Sequence, residues 1–195
     1  MTSQSQSPAK TDIGLLRMIM GPMFSGKSTE GLKMIRMYAI HFGMDNILRI
    51  KYSKDTRYSH DEIATHDKIT AKAVTCTKLS ELEDSYKKYK AIYIDEGQFF
   101  PDIVEFTEKA LDEGINIVIS GLDADFRRKP FANNWLSLIT ESVFTVKLVA
   151  ICEVCSAPAP HTFRMTKDTS QELIGGSEMY QARCRKCHVC LNVSK

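Results

Sequence analysis

With 195 residues and a 43% hydrophobic fraction, the chain can bury the core of one ordinary domain with a small appendage. Lysine and arginine number 26 against 24 aspartates and glutamates, and no long basic run breaks that balance, which excludes a dedicated nucleic-acid binder. No stretch of about 18 apolar residues exists, which excludes a membrane-spanning helix. Residues 1–12, MTSQSQSPAKTD, are polar and lack the apolar centre of a signal peptide, so they read as a disordered tail on a cytoplasmic protein.

LLRMIM (Leu15–Met20) is a short apolar run and predicts a buried strand. From Ser28 to Phe42, apolar residues at helical spacing predict a helix, with Gly43 as its stop. Gly31 sits inside that helix with no local reason. NILRIKY (Asn46–Tyr52) is a second strand, followed by a polar loop of the length that functional loops often have. ITAKAV reads as a strand, Ser80–Lys90 as a charged helix with Leu82, Tyr86 and Tyr89 inward, and AIYID (Ala91–Asp95) as a buried strand ending in an acid. Pro101–Glu113 predicts a helix with Asp102 in its first turn and Gly114 past its end. INIVIS (Ile115–Ser120) is another buried strand, FANNWLSLITES holds a helix, and VFTVKLVAI (Val143–Ile151) is a last strand. Apolar strands alternating with helices define an α/β domain, a parallel sheet covered on both faces, over residues 13–150. After Ile151 the pattern gives way to cysteines, Pro158, Pro160 and a glycine pair, so residues 151–191 form a second, small domain and 192–195 a tail.

GPMFSGKS, Gly21 to Ser28, stands between a strand and a helix and matches G-x-x-x-x-G-K-[ST]. Gly21 and Gly26 let the backbone amides face an anion, the helix N-terminus adds its positive end, Lys27 reaches phosphate oxygens and the Ser28 hydroxyl suits Mg²⁺. Pro22, Met23, Phe24 and Ser25 fill the loop; Met23 lines an acceptor pocket, or Met23 and Phe24 pack on the sheet. Asp95 ends a buried strand where a second Mg²⁺ group belongs. Glu96 follows, turned into the same cleft as a base that takes a proton from an attacking hydroxyl, or as a further partner of the metal. Gln98, Phe99 and Phe100 cover the cleft.

Five of the six cysteines cluster late in the chain. Cys152-x-x-Cys155 and Cys184-x-x-Cys187 suit a tetrahedral, structural Zn²⁺ that clips the base of a long loop. Cys187-His188-Val189-Cys190 offers a competing pair, and the reading favours Cys184 and Cys187. The clipped loop carries ELIGGSEMY (Glu172–Tyr180), whose glycines permit a close backbone approach to a substrate or an ordinary turn.

GPMFSGKST, IKYSKDTRY, IDEGQFFPDIVEF, GLDADFRRKPF and LIGGSEMY between the cysteine pairs together resemble the type II, zinc-containing thymidine kinase family, over about Leu16 to Cys187. The resemblance implies a P-loop, RecA-like domain with a zinc-bearing lasso, and transfer of the γ-phosphate of ATP to the 5′-hydroxyl of thymidine, deoxyuridine being a second acceptor, for pyrimidine salvage and DNA precursor synthesis. It implies Glu96 as catalytic base, and Asp55, Thr56 and Arg57, with Asp95 and Gln98, at the nucleotide. It implies Met23, Leu122, Phe99 and Phe131 as apolar pocket lining, Phe126 on the thymine and Thr162 near its methyl group. Gln171, Glu172, Leu173, Ile174 and Gly175 match the lasso whose backbone pairs with the base, and Tyr180 a lasso residue at the nucleoside. A homotetramer and feedback inhibition by thymidine triphosphate are implied as well. Two features depart from the family pattern: Gln171-Glu172-Leu173 is more polar than usual, and Ala124-Asp125 replaces a commoner Gly-Thr pair, adding a negative charge near the cleft. A RecA-type DNA-dependent ATPase with a zinc ribbon, and a zinc module that binds nucleotide without turnover, are the competing readings. Near-neutral charge speaks against the first and the acid beside Asp95 against the second.

Overall fold

Every strand pairing of the main sheet is parallel. The computed structural model describes residues 13–55, 62–64 and 70–190, with the backbone alone at 62–64 and 70–72. Thr56 and Arg57 lie outside the described residues, as do both expected tails.

In chain order, β1 (Leu16–Met20) runs through the glycine loop into α1 (Lys27–Phe42). Then come β2 (Ile47–Tyr52), an antiparallel pair of β3 (Glu62–Ala64) and β4 (Thr70–Lys72), β5 (Val74–Cys76) and β6 (Ala91–Ile94). α2 (Ile103–Asp112), β7 (Asn116–Gly121) and β8 (Ser142–Lys147) complete the larger unit. β9 (Ala150–Ile151) pairs with β10 (Pro158–Ala159), β11 (His161–Arg164) pairs with β12 (Tyr180–Arg183), and α3 (Arg185–Cys190) closes the described chain.

The six-stranded sheet has the order β5-β2-β6-β7-β1-β8. One strand, β7, therefore separates the strand that feeds the glycine loop from the strand that ends in Asp95. Both loops leave the carboxyl edge of the sheet, where open α/β sheets carry their ligands.

Period-two alternation divides the strands between two cores. Met18, Ile92, Ile94, Ile117 and Ile119 face α2, where Phe100, Phe106, Trp135 and Leu138 join them. Ile19, Tyr93 and Val118 face the other way, onto Met34 and Ile35 of α1. Each large side chain buried in this way contributes about 1.5–3 kcal/mol. Both faces are thus covered, as uniformly apolar strands require.

Several expected elements differ. Ser80–Lys90 is two short 3₁₀ turns, Leu79–Leu82 and Ser85–Lys88, with left-handed Glu83 (φ 45°) between them. The chain is interrupted at Glu83, while the Asp102 carboxylate accepts the leading amides of Leu79 and Ser80 at 3.0 and 2.8 Å and so ties the segment to the start of α2. Asp102 thereby spends its side chain on a distant turn instead of capping its own helix. Trp135–Glu141 is also 3₁₀, anchored by buried Trp135 and Leu138. ITAKAV breaks at Ala73 into β4 and β5. The last expected strand leaves the sheet after Lys147, and Ala150–Ile151 take an antiparallel partner in β10.

Gly31 now has its reason. A Cβ there would lie 2.3 Å from the Tyr93 hydroxyl, so the α1–β6 approach needs hydrogen at that position. Gly31→Ala should lower stability by about 1–3 kcal/mol, since the clash is with a packed ring. Thermal melting checks this.

Candidate active site

The glycine loop is organised by its own carbonyl at Pro22. Lys27 Nζ donates to it at 2.7 Å and Ser25 Oγ at 2.8 Å. Phe24 (φ 65°) and Gly26 (φ 83°) are both left-handed, the alternation by which successive amides turn into one anion-binding concavity. Gly26 stands just before α1, so the helix dipole points at the same spot. Ser28 lies in the first turn of α1.

The loop meets the small C-terminal module through the Met23 backbone and the Phe24 ring. The Met23 amide donates to Thr162 Oγ1 of β11 at 3.0 Å. Phe24 packs against Ala150, Cys152, Ala159 and Ala182, with Cys184 and Cys187 beside it. Phe24 thus packs on the small module and not on the sheet.

Asp95 and Glu96 follow β6 and divide their roles. Asp95 is buried, and its Oδ1 accepts from the Tyr93 hydroxyl at 3.1 Å and from Ser120 Oγ at 2.5 Å. Burial and the Asp95 charge push the Tyr93 phenol far above its ordinary range, so it remains a donor. Glu96 adopts φ 55°, which turns its side chain toward a cavity that Asp95 does not line. Of the two acids, Glu96 is the one that lines this cavity. Gln98 holds Glu96 in place: its Nε2 donates to Glu96 Oε2 at 2.6 Å while its Oε1 accepts the Leu122 amide at 2.9 Å. The Leu122 donor fixes which end of the Gln98 amide is carbonyl.

The cavity measures about 420 Å³ including its open mouth. The glycine loop contributes Met23, the segment after β6 contributes Glu96 and Phe99, and the segment after β7 contributes Leu122, Asp125, Phe126 and Phe131. The small module adds Thr162, Arg164 and Tyr180 from its strands and Gln171, Leu173, Ile174 and Gly175 from the lasso. Glu172 is exposed and does not line it. Asp55 is buried after β2 and also lies outside the lining.

Asp125 does not leave an open negative charge in the cavity. It is 3% exposed, its Oδ1 accepts the amides of Arg127 and Lys129, each at 2.8 Å, and its Oδ2 accepts the Arg127 guanidinium at 3.1 Å. Gln171 Nε2 also donates to Asp125 Oδ2 at 3.2 Å and to the Pro130 carbonyl at 3.0 Å. The two departures from the family pattern are thus in contact, and they join the lasso to the loop after β7.

Cys152, Cys155, Cys184 and Cys187 bring their sulfurs within 4.8 Å of one another. The Cys155–Cys184 and Cys155–Cys187 sulfurs are each 3.6 Å apart. Four thiolates about 2.3 Å from one Zn²⁺ form a tetrahedron with edges of about 3.8 Å, so the donor set fits a structural metal such as zinc. Burial opposes ionisation of Cys152, but amides from Cys184, Val154 and Cys155 outweigh it and hold that thiol below its ordinary range. Cys190 is not in the cluster. His188, offered by the sequence as a competing ligand neighbour, is buried, with Nε2 at 3.0 Å from the Phe126 carbonyl and 3.3 Å from the Thr162 carbonyl. Two carbonyl partners require Nε2 to carry the proton. Sequence reasoning missed this strut and also Arg164. Period two would have flagged Arg164, since it shares a strand face with Thr162.

A phosphate loop whose Met23 lines, together with Glu96, one largely apolar cavity is the architecture of a P-loop kinase acting on a small molecule. A family model described as thymidine kinase matches residues 14–188. The thymidine kinase of Vaccinia virus (strain Ankara) is 47% identical over 176 residues, which cover 90% of this chain and 97% of that protein. Those of Variola virus and Monkeypox virus are 46% and 45% identical over the same shares. The chain belongs to the thymidine kinase family, whose members are nucleoside kinases.

Proposed function

We propose that this protein transfers the γ-phosphate of ATP to the 5′-hydroxyl of thymidine, with deoxyuridine as a second acceptor. The observation that carries the reading is that a glycine-loop residue, Met23, and the acid Glu96 line the same cavity. Donor phosphates on the loop and an acceptor in the cavity then meet at Glu96. Lys27 and the loop amides neutralise phosphate charge, and phosphoryl transfer needs that and positioning more than covalent chemistry. Ser28 and Asp95 would hold Mg²⁺, which supplies further charge neutralisation when bound. Asp55, Thr56 and Arg57 belong to the nucleotide side. Gln98, placed beside the nucleotide by the family resemblance, also fixes the Glu96 carboxylate. Phe99, Leu122, Phe126 and Phe131 enclose the base, and the lasso main chain meets its 4-oxo, N3–H and 2-oxo groups, which complement backbone donors and acceptors.

The same geometry supports end-product control. A thymidine triphosphate could lay its base in the cavity and its phosphates on the loop, excluding both substrates. The proposed assembly is a homotetramer, supported by apolar residues at two places on the surface: Met37 and Ile40 on α1, and Val143 and Phe144 on the edge strand β8. The proposed domains are residues 13–150 and 151–191. The proposed compartment is the cytoplasm, whose reducing poise keeps four clustered thiols available to a metal. Among the described residues, no helix is long and apolar enough to cross a membrane.

ATP turnover measured alone, with thymidine and with single-stranded DNA tests the reading. Stimulation by thymidine and not by DNA is expected; stimulation by DNA alone would favour a DNA-dependent ATPase and overturn it.

A further inference from the structure

We propose that Arg164 is a positioning residue that sets thymidine affinity by fixing the direction of the lasso main chain and the seat of Phe126. The proposal rests on the thymidine kinase reading of this cavity.

The Arg164 side chain is 1% exposed. A guanidinium has five N–H donors in a rigid plane. Here Nε and Nη2 donate to the Tyr180 hydroxyl at 3.2 and 2.8 Å. Nη1 donates to the carbonyls of Asp168 and Ser170 at 3.1 and 2.5 Å, and Nη2 also reaches the Gln171 carbonyl at 3.2 Å. One side chain thus gathers three carbonyls leading into the lasso. Its charged plane also lies 3.9 Å from the centre of the Phe126 ring, a pocket residue from the larger domain.

The Tyr180 hydroxyl extends the effect. Because it accepts from Arg164, its single proton is left to donate, and it does so to the Leu173 carbonyl at 2.5 Å. Carbonyls at Gln171 and Leu173 are therefore both held. A trans peptide is planar, with its N–H opposite its C=O, so the amides of Glu172 and Ile174 are aimed the other way. Those amides belong to the segment that lines the cavity. A lysine carries the same charge but cannot hold three carbonyls and one hydroxyl from a single plane.

A purely structural role for a buried arginine would alter stability and both substrates alike. The positioning role separates them. In Arg164→Lys, the thymidine KM should rise about 10- to 100-fold, the range that follows from losing hydrogen bonds to a charged group. The ATP KM should stay within about twofold, since no Arg164 bond reaches the glycine loop. Amide hydrogen exchange at Glu172 and Ile174 should speed up. Tyr180→Phe, which keeps the ring and the guanidinium, should give a smaller rise of the same kind. The double variant should be no worse than Arg164→Lys, because both act through one network. Melting curves and zinc content establish that each variant is folded. If Arg164→Lys does not fold, Tyr180→Phe decides alone. A folded Arg164→Lys with the wild-type thymidine KM overturns the proposal, as do equal rises for both substrates or a wild-type thymidine KM in Tyr180→Phe. A wild-type protein inactive on thymidine would instead sink the functional reading itself.

Discussion

Glu96→Gln should lower turnover by about 10² or more while ATP still binds, the scale expected when a general base is lost. The substitution is nearly isosteric, so the left-handed backbone at Glu96 and the walls of the cavity should survive it. What changes is the partner of Gln98. Its Nε2, committed as a donor because the Leu122 amide occupies its Oε1, would meet an amide in place of a carboxylate. That amide can still accept through its own oxygen, so the network persists without the negative charge. The charge is the point: a carboxylate at the cavity wall can orient the 5′-hydroxyl and take its proton, and an amide can only orient. Single-turnover kinetics with thymidine, alongside direct measurement of ATP affinity, check this. Near-normal turnover in Glu96→Gln would remove Glu96 from the chemistry and leave positioning by the loop as the main source of rate.

Much of this site could be read from local pattern. The glycine loop and Asp95 are recognisable because their mechanics demand a strand on one side and a fixed spacing on the other. The cysteine pairs are recognisable because metal geometry constrains i and i+3. Contacts between distant segments were not legible. Gly31 has no local justification, and its reason is the Tyr93 hydroxyl on a strand across the core. Phe24 belongs to the glycine loop by sequence and to the cysteine module by packing. Ser80–Lys90 has helical charge and spacing, yet the chain turns at Glu83 (φ 45°) and its start is tied to Asp102 across the fold. Asp125 looks like an added charge, and only the folded loop shows the amides and guanidinium that enclose it. In each case tertiary context overrode or supplied what a short window could not contain.

Removing the metal should have the largest effect on stability. The core of the small module is made of Ala150, Cys152, Ala159 and Ala182, with little apolar surface to hold two short hairpins and a six-residue helix together. Structural zinc in comparably small folds contributes about 10–16 kcal/mol of apparent binding free energy, much of it expressed as folding. Three contacts carry the consequence into the cavity: Phe24 on the module core, the Met23 amide on Thr162, and His188 on the carbonyls of Phe126 and Thr162. Two of the three end on residues that line the cavity, Thr162 and Phe126. A chelated protein, or Cys155→Ser, should therefore lose thymidine affinity by about tenfold or more, the loss of a few buried hydrogen bonds, while retaining much of its ATP affinity. Cys190→Ser, outside the cluster, should bind the metal normally. Titration of metal content, calorimetry on both substrates and restoration by added Zn²⁺ provide the check. Unchanged thymidine affinity in metal-free protein would mean that the lasso holds its shape without the clip, and that the bonds of Arg164 and the Gln171–Asp125 contact suffice to keep it over the cavity.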